Sequence, residues 1–333
     1  MKELNKKELK QLKKNFNNKK IAIVGDMMLD VYFRGDVKRI SPEAPVPVIE
    51  VESEFFRFGG AANCALNIQS LGGIPYPVGV IGYDTNGSAF TSLLEENKID
   101  QSGIFIDDER PTTTKTRVIA DSQHIVRIDK EQKNYINSKL QKKILEFLKK
   151  IIKDIDGIIL QDYNKGVLTP DLIKEIILLA KKNNVIITVD PKFNNFFLYK
   201  NVTVFKPNRK EAEDILGMKI KRDDDVSKAG KILLNKLKAE NVLITLGEDG
   251  VAVFQKDIKE KRLPTKARKV ADVSGAGDTV ISTLTMALAA GADILEASYL
   301  ANYAGGLVCE EVGIVPIEID KLFNEVLKER VFL

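Results

Sequence analysis

At 333 residues, 44% hydrophobic and 29% charged, the chain has an ordinary soluble composition and room for one large α/β domain or two smaller ones. No apolar run approaches the ~18 residues of a membrane helix and the N-terminal segment lacks a signal-peptide core, so a cytoplasmic protein with no membrane partner is expected. The net charge of +4 is concentrated in residues 1–20, where eight lysines face Glu3 and Glu8; the remainder is −2, which argues against nucleic acid as a partner.

Among those lysines, Leu4, Leu9, Leu12 and Phe16 recur near helical spacing and predict a short basic, amphipathic helix over 1–20, packed on the surface. Lys20-Ile-Ala-Ile-Val-Gly25 follows, short and apolar, the pattern of a buried first strand in a parallel sheet. Asp26 and Asp30 lie just past it, where α/β sheets bind ligands and where a polyhydroxylated ligand would find acceptors. Residues 31–58 and 103–128 alternate Val, Ile, Phe and Thr with charged residues, the first stretch broken by Pro42, Pro45 and Pro47. Both predict strands with one solvent face, which together could form a small accessory sheet acting as a lid. Phe58-Gly-Gly-Ala-Ala-Asn63 opens a helix, and its glycines suit either close approach of a polar ligand or a tight turn.

Cys64 and Cys309 show no metal spacing and are expected to be reduced, buried thiols. His124 is the only histidine, so a histidine-rich metal centre is excluded and a Ser-His-Asp triad would rest on it alone. Its flanks predict a partly exposed strand residue beside a turn at Asp121-Ser122.

Beyond residue 137, strand-like runs at 157–160, 185–189, 202–205 and 241–246 alternate with helical patterns at 137–150, 170–182, 209–216 and 226–238. That rhythm predicts a doubly wound, mainly parallel sheet with crossover helices. Lys206-Pro-Asn-Arg-Lys-Glu211 opens one of the helices; Asn208 and Glu211 have capping-box spacing, and the same pair could organise Mg²⁺ or its waters near a phosphate. Thr245-Leu-Gly-Glu-Asp-Gly250 reads as a hairpin turn with 251–254 returning. Asp272-Val-Ser-Gly-Ala-Gly-Asp-Thr279 precedes a helical pattern at 279–290. Its small residues and helix-start amides could receive negative charge, although a capped helix explains the same letters. Asp278 would repel a resting phosphate there, yet it could accept a proton from an attacking hydroxyl.

Taken in order, these motifs resemble the PfkB or ribokinase family of sugar kinases. Asp272 to Thr279 matches the family's C-terminal signature, Asn208 to Glu211 its Asn-x-x-Glu motif, and Gly59-Gly60-Ala-Ala-Asn63 its Gly-Gly motif. The resemblance covers the chain after residue 20 and implies a ribokinase-like kinase domain over 21–333 with a discontinuous β-sheet lid. It implies ATP and Mg²⁺ as cofactors, with the nucleotide near Asn208, Arg209, Lys210, Glu211, Thr245, Gly247, Gly250 and Asn302, and with Glu211 reaching the metal through water. Gly275, Ala276 and Gly277 become an anion hole and Asp278 the catalytic base. Asp30, Gly59, Gly60 and Asn63 would bind sugar hydroxyls; Lys38 and Arg39, or else Lys165 and Lys192, would neutralise a phosphate. Lids in this family often pair, which implies a homodimer in which Phe55, Phe56 and Phe58 are either lid core or interface.

Within the family, the proline-punctuated segment from Gly35 to Val48 is similar to that of the kinases acting on D-glycero-β-D-manno-heptose 7-phosphate. Asp162-Tyr-Asn-Lys-Gly166 and Asp190-Pro-Lys192 fit the same subfamily, with Asn164 standing where glycine is usual. The implied reaction is phosphorylation of the anomeric hydroxyl to the 1,7-bisphosphate, in ADP-heptose and lipopolysaccharide-core synthesis. That kinase is often fused to a nucleotidyltransferase bearing a His-x-Gly-His motif, which a chain with one histidine lacks, so the kinase half alone is expected. Two alternatives stay open: a kinase of the same family for another sugar or sugar phosphate, and a non-catalytic sugar sensor, against which the intact 275–278 turn argues.

Overall fold

The computed structural model describes residues 3–120, 123–256, 258–265, 271–311, 313–328 and 331–332. Nine strands form the main sheet in the spatial order Lys261–Leu263, Val251–Gln255, Asn241–Thr245, Val204–Phe205, Ile186–Asp190, Gly157–Gln161, Lys20–Gly25, Ile74–Gly82 and Ile104–Asp107. The seven from Asn241–Thr245 onward run parallel, and the first two add an antiparallel edge. Inner strands such as Gly157–Gln161 are buried along their whole length, as expected of a sheet covered on both faces. Alternation then sorts their side chains. Ile21 and Ile23 join the apolar cluster under the helices Ala61–Ser70, Ala276–Ala289 and Ile294–Cys309. Ala22 and Val24 join the opposite cluster, under Ser138–Ile151, Pro170–Lys182 and Asp223–Leu237.

A separate four-stranded sheet has the order Pro47–Gly60, Met27–Ile40, Thr113–Ala120, Gln123–Lys130. Its first two strands pair antiparallel from Met27 with Gly60 to Ile40 with Pro47, through register shifts at Arg34/Gly35 and Val37/Arg39. Asp26 alone separates Lys20–Gly25 from Met27–Ile40, so the chain passes directly from the main sheet into the small one. The expected segment 103–128 divides differently: Ile104–Asp107 pairs with Ile74–Gly82 at the edge of the main sheet, not with the small sheet. Ile106 is 51% exposed there, and an edge strand of one sheet shows the same alternation as a half-exposed strand of the other. Ile74–Gly82 carries no clear strand pattern in its letters because Pro75 and Pro77 interrupt it. His124 is exposed on Gln123–Lys130; the turn expected at Asp121-Ser122 lies outside the described residues.

The basic helix is Lys6–Phe16, shorter than 1–20, and Leu4 belongs instead to a two-residue ladder with Val331–Phe332. Asn5 sets its start by accepting from the amides of Lys7 and Glu8, a capping box completed by Glu8. Leu9, Leu12 and Phe16 are buried, with Phe16 edge-on to Phe323 at 5.3 Å. Of the three aromatics on Pro47–Gly60, Phe58 packs on Phe90 at 5.5 Å and Phe55 stacks on Tyr32 at 4.8 Å; Phe56 packs against the same core as Phe58. Among the described residues no helix is long and apolar enough to cross a membrane.

Candidate active site

Polar groups converge where the parallel strands end: Asp26 after Lys20–Gly25, Gln161 closing Gly157–Gln161, Asp190 closing Ile186–Asp190, and Lys206 after Val204–Phe205. The carboxyl edge of such a sheet is where crossover loops leave room for ligands. Facing this edge is the start of Ala276–Ala289, with Asp278 in its first turn and only 4% exposed.

Gly275 caps that helix at φ +79°, a backbone an L side chain resists, and a Cβ there would lie 3.2 Å from Asn63 Nδ2. Of the three amides expected to form an anion hole, that of Ala276 donates to the Val273 carbonyl at 3.3 Å. The amides of Gly275 and Gly277 have no acceptor among the described residues, so they are the two free to receive a ligand. Asp272 holds the preceding loop by accepting from Ser274 N at 2.9 Å and Gly313 N at 3.1 Å.

Three side-chain donors frame the Asp278 carboxylate. Oδ1 accepts from Tyr163 OH at 2.7 Å and Gln161 Nε2 at 2.9 Å, and Oδ2 from Asn63 Nδ2 at 2.7 Å. Burial pushes its pKa from 3.8 up to about 6, against the pull of the Asn63 and Tyr163 donors; Asp190 adds to the rise and Lys206 opposes it. A carboxylate so placed is ionised at neutral pH yet basic enough to take a proton.

The Gly-Gly motif supplies Asn63. Gly60 turns at φ +56° where a Cβ would meet the Asp26 carbonyl at 2.5 Å, and this tight entry starts Ala61–Ser70 against Ala276–Ala289. Gly59 lies beside Asp30, whose buried carboxylate pairs with Arg117 at 2.7 Å. Asp26 instead organises backbone: buried, it accepts from the amides of Tyr163, Lys165 and Val167. Burial first, then the neighbouring Asp162, pushes its pKa up to about 6 despite those amides. Asn164 adopts φ +55°, which asparagine tolerates, and its amide donates to Asp162 Oδ1 at 2.8 Å, so the turn forms without the usual glycine.

Beside Gly277 opens a cleft of about 530 Å³. Asn208, Arg209, Lys210, Glu211, Thr245, Gly247, Gly250 and Asn302 all line it, as do Lys192, Lys206 and Tyr163. Asn208 and Glu211 do form the capping box: Asn208 Oδ1 accepts from Glu211 N at 2.8 Å and Glu211 Oε2 from Asn208 N at 2.9 Å. Glu211 Oε1 pairs with Lys192. Lys206, almost wholly buried, pairs with Asp190 at 3.1 Å. Thr245 and Gly250 bracket the expected hairpin, its tip a short turn of 3-10 helix at Gly247–Asp249. Cys309, expected buried, is only partly so and lines the cleft; Cys64 is buried and both thiols are free.

Three of the expected phosphate ligands stand apart. Lys165 is tied to Glu131 at 2.5 Å. Lys38 pairs with Glu50 at 3.1 Å, and it and Arg39 lie at the exposed tip of Met27–Ile40. Lys38 lies eight strand positions beyond Asp30, roughly 26 Å at the usual rise. Cations nearer the base are Lys192 and Lys115, each with its ammonium 5.6 Å from the Tyr163 ring centroid. Gln161 and Arg117 fall in none of the motifs read from the sequence, and Tyr163, Asp190 and Lys206 fall within motifs without a role of their own; all but Arg117 lie at or just past the end of a predicted strand, which is the available signal.

The chain matches the model of the pfkB family of carbohydrate kinases over residues 18–320. It is a member of that family. It is 43% identical over 304 residues to the Bifunctional protein HldE of Helicobacter pylori strain J99, covering 91% of this chain and 65% of that protein. The Bifunctional protein HldE of Nitratiruptor sp. is 39% identical over 306 residues, covering 91% and 64%. The chain thus spans a little under two thirds of the length of these curated relatives. Among solved structures, ribokinase of Arabidopsis thaliana complexed with ribose and ATP superposes with a TM-score of 0.73 at 20% identity, covering 94% of this chain and 99% of that one. Phosphofructokinase-2 of Escherichia coli in complex with potassium does so at 0.75 and 20%, with coverage of 94% and 100%. The ribokinase-like fold and the sugar-kinase class of enzyme follow.

Proposed function

We propose that the chain transfers the terminal phosphoryl group of ATP to the anomeric hydroxyl of D-glycero-β-D-manno-heptose 7-phosphate, giving the 1,7-bisphosphate and ADP. The observation that carries the chemistry is a buried carboxylate, Asp278, one residue from a free helix-start amide at the mouth of the cleft. The sugar rests on the 43% identity to a protein named HldE and on the resemblance of the segment from Gly35 to Val48.

In this reading ATP occupies the cleft, its phosphates directed at the amides of Gly275 and Gly277. Asp278 takes the proton as the acceptor O–H bond breaks, the new O–P bond forms, and the bond to the β-phosphate breaks to release ADP. Phosphoryl transfer asks mainly for alignment and charge stabilisation, and fixed amides at a helix start offer both without rearrangement. Mg²⁺ fits an outer-sphere place at Glu211, since both oxygens of that carboxylate already have protein partners; bound there with ATP it offsets phosphate charge. Asp30, held by Arg117, and the Gly59–Asn63 turn face the acceptor. Its remote phosphate is assigned to Lys115, because Lys38 and Arg39 lie far along the strand and Lys192 lines the cleft. The small sheet serves as the lid and as the face of a homodimer, in a cytoplasmic protein.

Coupled ADP release with ATP and Mg²⁺ tests the reading, using the heptose 7-phosphate, fructose 6-phosphate and ribose as acceptors. Selective release with the heptose phosphate, with ³¹P signals for a 1,7-bisphosphate, is the expected result. Equal or greater turnover of another acceptor refutes the sugar, and binding without turnover of any acceptor points to a sensor.

A further inference from the structure

We infer that Tyr163 is a positioning residue for the base: with Gln161 it fills one oxygen of the Asp278 carboxylate and leaves the other to take the proton. The inference rests on the reading of Asp278 as the base. A carboxylate oxygen offers about two acceptor sites. Oδ1 receives both Tyr163 OH, at 2.7 Å, and Gln161 Nε2, at 2.9 Å, and is full. Among the described residues Oδ2 receives only Asn63 Nδ2, at 2.7 Å, and keeps one site. The acceptor's proton therefore goes to Oδ2 while the donors at Oδ1 hold the carboxyl plane.

The surroundings are arranged to fix this phenol. Asp26 gathers the amides of Tyr163, Lys165 and Val167 at 2.8, 3.0 and 3.1 Å, and the left-handed Asn164 turns the loop directly after the tyrosine. Lys115 reaches the ring from the small sheet and Lys192 from the end of Ile186–Asp190, so the ring is held from two elements. The groups facing Asp278 are Asn63 and Cys64 from Ala61–Ser70, Gln161 and Tyr163, and Asp190, Lys192 and Lys206. Burial, then Asp278 and Asp190, push the phenol well above its usual range, so it stays protonated and can only donate to the ionised base.

Carbon-13 NMR of labelled aspartate carboxyls tests this, with the Asp278 signal assigned by its loss in Asp278→Asn. In Tyr163→Phe, loss of a donor to the charged form moves the Asp278 midpoint up by about one pH unit. The acid limb of kcat/KM with the heptose 7-phosphate moves with it and kcat falls about tenfold; in the Asp278→Asn background the same change costs less than about twofold. A 3-fluorotyrosine at 163, the stronger donor, moves the midpoint down. An unmoved midpoint in both variants, or rate losses that multiply in the double variant, overturns the proposal. A wild-type chain that releases no ADP with the heptose phosphate fails the substrate reading instead, and the carboxyl titration still decides the role of Tyr163.

Discussion

The two sides of Asp278 are put together in different ways. On the cleft side, Asn208, Arg209, Lys210 and Glu211 come from one helix start, and Thr245, Gly247 and Gly250 from one hairpin. On the other side, Asp30 comes from the small sheet and Asn63 from a helix after a glycine turn, and Tyr163, which borders both sides, comes from a loop pinned by Asp26. Short contiguous segments shape the first half, and long-range packing assembles the second. Changes on the cleft side should therefore act on nucleotide handling alone, whereas changes on the other side should act on the acceptor and the base together.

Asp278→Asn, at the junction of the halves, has the largest expected effect. General-base catalysis contributes about 10²- to 10⁴-fold, so kcat should fall by at least that range with the calorimetric Kd for ATP little changed. A loss of ATP affinity of similar size would erase the distinction between the sides. Next comes Gly275→Ala, which forces a Cβ onto a φ of +79° and against Asn63 Nδ2 at 3.2 Å. It displaces one of the two free amides, and removal of one such donor costs about 10²-fold in kcat; KM for the acceptor should change far less than kcat.

Asp30→Ala separates the halves from the other direction. It leaves Arg117 part-buried without its carboxylate, and KM for the acceptor should rise about 10- to 100-fold while KM for ATP holds within about twofold. The pH dependence is smaller over the physiological range and has a definite sign. Below about 6 the Asp278 carboxyl is protonated and cannot act as a base, so kcat/KM should fall about tenfold per pH unit there and level off above about 7. A flat profile between pH 5 and 7 would remove Asp278 from the proton-transfer step.

The same division governs what could be read from the sequence. Lys20–Gly25, Pro170–Lys182 and Arg209–Leu216 follow directly from apolar period and capping residues, because a buried parallel strand and an amphipathic helix each write their environment into adjacent letters. The Asn208–Glu211 box and the 275–278 turn were legible for the same reason. The roles of Tyr163 and Gln161 were not, since their partner Asp278 lies 115 and 117 residues away and no local pattern records such a contact. Ile104–Asp107 was assigned to the wrong sheet because alternation reports one exposed face and not the neighbour. Lys38 and Arg39 drew attention as paired cations in a distinctive segment, but strand length, which only the register of Met27–Ile40 with Pro47–Gly60 reveals, carries them away from the base.

That last separation supplies the smallest expected effect and a sharp test of the comparison. Lys38 sits roughly 26 Å along the strand from Asp30, too far for one heptose phosphate to touch both. Its pairing with Glu50 is between exposed groups, an interaction worth little in water. Lys38→Ala with Arg39→Ala should therefore keep kcat/KM for the acceptor within about twofold of wild type at a protein concentration low enough to keep chains apart. If KM rises instead as the protein is concentrated and the wild type does not follow, the strand tip acts on a neighbouring chain's site, and the acceptor half of the site is completed between two molecules. If KM rises at every concentration, the small sheet closes far enough to bring its tip over the base within one chain, and the division between a contiguous nucleotide half and a dispersed acceptor half would have to include the whole strand.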